Sequence, residues 1–157
     1  MIHNAVQQQN ASKIKNIFHV RIRALIHDGD YILVVRAKGK KYCFLPGGHH
    51  EINETLSAGL IREIKEEMGL SAKIKTYLGA VENDWQKNDV HHFEINHIFA
   101  VNIPKLRSNS NPPSQEDHLV FFWIRWEDFK KQHFLPKTMY PLIKQFLEMK
   151  QKNKRMP

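Results

Sequence analysis

Three glutamates, Glu63, Glu66 and Glu67, stand at i, i+3 and i+4 in a stretch where Leu56, Leu60, Ile61, Ile64 and Met68 recur at helical spacing. At about 100° per residue they fall within roughly 100° of arc and form one acidic stripe. Leu60, Ile61, Ile64 and Met68 centre on the adjacent arc, which would bury against a sheet and hold the stripe at its margin. A fixed backbone then presents three oxygen ligands. Like charges at this spacing repel unless something neutralises them, and a bound cation does so. Mg²⁺ is the cation to expect, with Mn²⁺ as a substitute, because Mg²⁺ takes oxygen ligands and is usually held by a few carboxylates plus substrate phosphate. Taken alone, the three glutamates read more readily as the solvated face of an exposed helix. The residues around them decide between the two readings.

Those residues run Gly48, five positions, Glu54, seven positions, then Arg62-Glu63-Ile64-Lys65-Glu66-Glu67-Met68-Gly69-Leu70. This run resembles the signature of the Nudix (MutT-like) hydrolases at every defining position. Seven of those positions demand one residue type each, so a chance match at a given start is on the order of one in a hundred million. The motif covers residues 47 to 70, about a seventh of the chain; beyond it only the order of elements is compatible. In that family the glutamates matching Glu63, Glu66 and Glu67 bind metal ions, and the carbonyl of the glycine before the box, here Gly47, commonly adds a ligand. By the same resemblance Arg62 pairs with a neighbouring carboxylate, Glu54, and orients the catalytic glutamates rather than touching substrate. The implied reaction is attack of a metal-activated water on phosphorus, splitting a diphosphate bond. A general base is still required. Glu67 or Glu66 can serve, or a loop carboxylate outside the box: Glu116 first, then Asp117 and Glu94, each of which also reads as an ordinary surface carboxylate.

The elements that would position these groups follow from pattern. Val20 to Ile26 and Tyr31 to Val35 predict a strand pair across an Asp28-Gly29 turn. Tyr42 to Leu45 predicts a short strand stopped by Pro46 and a Gly47-Gly48 loop. A helix is expected from Glu54 to Met68, with Asn53 as N-cap and Gly69 as its stop. Ala72 to Val81, Phe93 to Val101 and His118 to Trp126 predict further strands, with a turn near Asn88-Asp89 and a long polar loop from Pro104 to Asp117. A C-terminal helix from about Thr138 tolerates Pro141 in its first turn. Strands mixed with two well-separated helices argue for an α/β/α sandwich around a central mixed sheet. The expected organisation is a flexible arm over residues 1–17, one domain over 18–150 and a basic tail over 151–157, with Lys150 to Arg155 fraying.

With 157 residues, one domain with a real core is the natural expectation. The 41% hydrophobic and 25% charged composition is that of an ordinary globular protein, and no apolar run approaches the roughly 20 residues of a membrane span. The N-terminus lacks a secretory pattern, so a cytoplasmic location is expected. Cys43 is the only cysteine, which excludes an internal disulfide and a thiolate zinc site. The net charge of +8 serves solubility, or steers phosphate-bearing ligands toward the acidic segment.

Candidate substrate contacts are weaker. Lys41, with Lys38 and Lys40, could meet phosphates or simply charge a turn. Trp85 could stack on a base or bury itself in a core. Phe44 is a further contact candidate that reads more readily as core. His49-His50 has no metal-ligand spacing and reads as loop, while His97, sharing the face of Phe93 and Phe99, reads as a core histidine. The subfamily markers near the box, a proline for ADP-ribose enzymes or a tyrosine for dinucleoside polyphosphates, are missing around Trp85 to Asn88. The expected partner is therefore a small nucleotide, either a nucleoside diphosphate derivative or a nucleoside triphosphate. An RNA 5′ end and a non-catalytic binding module are the rivals, and a homodimer is left open.

Overall fold

A computed structural model describes residues 15–155, and its first strand shows how one alternating segment feeds two cores. β1 (Lys15–Asp28) turns Ile22, Ala24 and Ile26 to one face and Leu25 to the other, all buried. It pairs in parallel with β5 (Val90–Asn102), from Lys15 opposite Val90 to Ile26 opposite Val101. β4 (Lys73–Lys87) runs antiparallel along the outer side of β5. At its far end β1 turns through Gly29-Asp30 into β2 (Tyr31–Ala37), which pairs antiparallel with β6 (Leu119–Arg125). The order is β4-β5-β1-β2-β6, and the short β3 (Gly47–His49) lies antiparallel along Arg21–Arg23 of β1.

Helix α1 (Leu56–Met68) covers one face, where Leu60, Ile64 and Met68 join Ile22, Ala24, Ile26 and Phe99 in one cluster. Helix α2 (Tyr140–Arg155) covers the other, where Ile143, Phe146 and Leu147 join Leu25, Ile98 and Ala100. Each fully buried Leu, Ile or Phe stabilises the fold by roughly 1.5–3 kcal/mol relative to exposure. The expected α/β/α sandwich around a mixed sheet is what the chain forms.

Several local expectations are corrected. Thr55, not Asn53, caps α1: its hydroxyl accepts from the Ala58 N–H at 3.1 Å, and the helix begins at Leu56. Asn53 instead takes a positive φ of 70° in the preceding turn, a conformation Asn tolerates better than most residues. Gly47-Gly48 is strand rather than loop. The expected strand over Tyr42 to Leu45 reduces to bridges of Phe44 with Val35 and of Cys43 with Phe134. β4 runs on to Lys87, so Trp85 lies in a strand. His97 is half-buried rather than core, 2.9 Å from the Tyr77 hydroxyl through Nδ1. Lys15 to Ile17 belong to β1, and α2 extends to Arg155. The rest of the expected arm, residues 1–14, and residues 156–157 of the tail lie outside the described residues. Among the described residues no helix is long and apolar enough to cross a membrane.

Candidate active site

The acidic stripe meets the sheet at β3. A Cβ on Gly47, whose φ is 123°, would sit 2.1 Å from the carbonyl oxygen of Ile22, and one on Gly48 would lie 2.4 Å from the Glu63 carboxyl. Only glycine at position 47 lets β3 run this close to β1, whereas a side chain at position 48 would displace the Glu63 carboxyl. The Gly47 N–H donates to Glu67 Oε2 at 3.1 Å, which draws that carboxyl inward.

The three glutamates therefore differ. Glu67 is 5% exposed, and burial pushes its carboxyl up to about 8 against the help of Gly47 and Arg23. Burial also raises Glu63, opposed by its bond from Arg62. Glu66 is exposed. Arg62 ties the outer part together. It grips Glu54 through Nε (3.1 Å) and Nη2 (2.9 Å), and Nη1 reaches both Glu63 (3.1 Å) and Glu66 (3.0 Å). The two-pronged bond holds the Glu54 carboxyl down to about 2. Arg23, buried beneath, donates from Nη1 to the carbonyls of Leu45 (3.2 Å) and Gly47 (3.0 Å) and so fixes where the Gly47 carbonyl stands. Its burial lowers the guanidinium to about 10.

Gly47, Arg23, Arg62 and the three glutamates line one side of a cleft of about 1130 Å³ on the sheet. Among the described residues no three His, Cys, Asp or Glu side chains are already grouped to hold a metal. Arg62 gathers Glu63 and Glu66, while Glu67 turns to Gly47. The donor set nonetheless fits a hard divalent cation. Its ligands would all be oxygen, and a buried carboxylate whose charged form is disfavoured gains most from a cation beside it.

The family model described as NUDIX domain matches residues 17–146, most of the chain. The chain belongs to the Nudix family. As a Nudix hydrolase it belongs with enzymes that act on pyrophosphate bonds, and Nudix hydrolases generally use divalent metals. It is 29% identical over 142 residues to the ADP-ribose pyrophosphatase of Methanocaldococcus jannaschii, covering 78% of this chain and 84% of that protein. Phosphatase NudJ of Shigella boydii serotype 4 is 26% identical over 141 residues, 88% of this chain and 87% of its own. The MutT protein of Methanosarcina mazei Go1 shares the fold at a TM-score of 0.60 and 19% identity, over 88% of this chain and 96% of that one.

Of the residues expected at the site, Gly47, Arg62, Glu63, Glu66, Glu67, Phe44, Trp85 and Glu116 all line the cleft. Glu54 sits behind Arg62, and the exposed Lys41 and Asp117 are not among the lining residues. Glu116 comes from the long loop, which the Gln115 N–H ties to the Glu67 carbonyl at 2.7 Å. Glu94, on β5, is buried in the cleft floor. Sequence reasoning missed Arg21, Arg23 and Asn83. Its available signal was two arginines alternating with Ile22 and Ala24 in β1, on the face that also buries Leu25.

Proposed function

We propose that this Nudix hydrolase splits a diphosphate bond in a nucleoside diphosphate derivative or a nucleoside triphosphate, with Mg²⁺ as cofactor and Mn²⁺ as a substitute. The observation that carries this reading is the buried Glu67, drawn to the Gly47 N–H on the wall that also holds Glu63. Glu63, Glu66, Glu67 and the Gly47 carbonyl would hold the cation. Once bound, it supplies the positive charge that makes water a better nucleophile and offsets charge gathering on the phosphoryl oxygens.

The protein's own residues do the rest. Arg62 locks Glu54 and steers Glu63 and Glu66, and Arg23 keeps the Gly47 carbonyl from turning away. Glu116, half-buried at the cleft and 3.4 Å from His118 Nε2, is the first candidate to take the proton of the attacking water. Phe44, backed by the Arg23 guanidinium at 5.3 Å, and Trp85 supply apolar walls for the nucleotide. Lys41, away from the lining, would act only as a distant charge.

A panel of nucleoside triphosphates and nucleoside diphosphate derivatives, titrated with Mg²⁺ and Mn²⁺, tests the reading. The expected result is phosphorylated product with at least one substrate, and its loss by a factor on the order of 10²–10⁴ in a folded Glu67→Gln variant. No product across the panel overturns hydrolysis. Ligand binding that is equal in both forms, with turnover in neither, would point to a binding module.

A further inference from the structure

The cleft floor carries residues that the cutting of a diphosphate bond does not use. On the face of the sheet away from α1, Trp85 and Asn83 of β4 pair with His92 and Glu94 of β5, and β1 brings His19 and Arg21 alongside. The floor is therefore an aromatic row followed by a polar row, leading toward Gly47.

The aromatic row is rigid. The Trp85 indole lies parallel to the His92 ring, with centroids 4.8 Å apart and planes at 2°, and 5.6 Å from His19 at 13°. Arg21 Nη1 reaches His49 Nδ1 at 3.3 Å, His49 Nε2 reaches His19 Nδ1 at 3.1 Å, and His19 Nε2 reaches His92 Nδ1 at 2.9 Å. Arginine can only donate, so His49 and His19 each accept on Nδ1 and donate from Nε2, and His92 accepts on Nδ1. Trp85 is thus backed by two hydrogen-bonded rings, while it also lines the cleft.

The polar row is incompletely satisfied. Glu94, 6% exposed, takes the Asn83 and Asn96 amides on Oε1 at 3.2 and 2.9 Å. Its Oε2 has only Arg21 Nε beside it, at 3.5 Å, and that buried Nε has no hydrogen-bond partner among the described residues. One of the two Asn83 amide N–H groups goes to Glu94, and its Oδ1 adds a further acceptor. The wall therefore offers two neighbouring acceptors beside a guanidinium donor. A guanine edge supplies the complement, N1–H and the N2 amino group beside O6, whereas adenine has a single amino donor between acceptors.

Distance agrees. Along β5, Glu94 stands four residues from Ile98, the partner of Arg23, which pairs with Gly47. At about 3.3 Å per residue that is roughly 13 Å along the strands, and two strand spacings of about 4.8 Å across β1 bring it to roughly 16 Å between backbones. Side chains reaching in from both ends reduce that gap to the span of an extended nucleoside 5′-diphosphate. We propose that Arg21, Asn83 and Glu94, with Trp85 as stacking platform, form a base pocket that selects guanine over adenine nucleotides. This rests on the nucleotide reading above.

Calorimetric binding of GMP and AMP to the full chain in Mg²⁺ tests it, with KM for GTP and ATP in parallel. The expected result is GMP bound at least about five-fold more tightly, the low end for one well-made base contact. Trp85→Ala should weaken both ligands alike. Glu94→Gln should erase the preference, read as the ratio of GMP to AMP affinities. Asn83→Ala should reduce the preference too, and keeps the test alive should Glu94→Gln not fold. Equal affinities in the wild type, no binding of either mononucleotide, or a preference surviving both polar substitutions overturns the pocket. A retained GMP preference with no turnover of any substrate would instead sink hydrolysis and leave the pocket standing.

Discussion

Glu67 has a proton affinity set by where it stands. Buried carboxylates are costly to ionise, and one N–H from Gly47 does not compensate, so its carboxyl is driven from 4.5 up to about 8. Between those values the folded chain holds a proton that the unfolded chain has released. Stability of the metal-free protein should therefore fall as pH rises from about 4.5 to about 8. Glu63, raised in the same direction by burial, adds to that slope. Thermal unfolding at a series of pH values checks it: Glu67→Gln should flatten the curve, and an unchanged slope in that variant would refute the assignment. Added Mg²⁺ should stabilise more strongly at the upper end of the window, because its ligands must be deprotonated to bind.

At the scale of elements, two short features hold the site, the N-terminus of α1 and β3. Thr55→Ala removes the hydroxyl that accepts from Ala58 and should cost about 1 kcal/mol in denaturant unfolding. An unaffected midpoint would mean that the cap carries no weight. Gly47→Ala drives a methyl into the Ile22 carbonyl at a φ only glycine adopts comfortably. Turnover and melting temperature should drop together in that variant, whereas Gly47→Ala with wild-type melting and activity would contradict the close β1–β3 approach. The helix carrying the glutamates was legible because its apolar residues repeat at 3.6 and Gly69 stops it. The cap was not, since Asn53 and Thr55 are both good capping residues, and the choice rests on which backbone turns left-handed. β3 was illegible for a related reason: two glycines carry no pattern, and only pairing with Arg21–Arg23 makes them a strand.

Across the molecule, a net charge of +8 surrounds an acidic wall, and Lys87 and Lys137 line the cleft. Attraction of a polyanion should weaken as salt rises, since the screening length shortens from about 30 Å at 0.01 M to about 8 Å at 0.15 M. The expected outcome is a fall in kcat/KM for a nucleoside triphosphate over that range, measured by initial rates. Rates independent of salt would remove charge steering. Trimming of a 5′-triphosphate RNA with a steeper salt slope would favour the RNA end as substrate.

What the sequence determined by itself was the acidic stripe of Glu63, Glu66 and Glu67, because spacing along one helix fixes which residues share a face without any knowledge of the rest. It also determined the sandwich, through alternating strands and two apolar helix faces. Only the tertiary structure decided that Glu67 is buried while Glu66 is exposed, that Arg23 grips Gly47, and that Arg21, Asn83 and Glu94 meet. Those residues come from three strands, and β1 joins β5 in parallel across some 70 positions of sequence. Such register is set by the packing of both faces at once, and no local pattern encodes it.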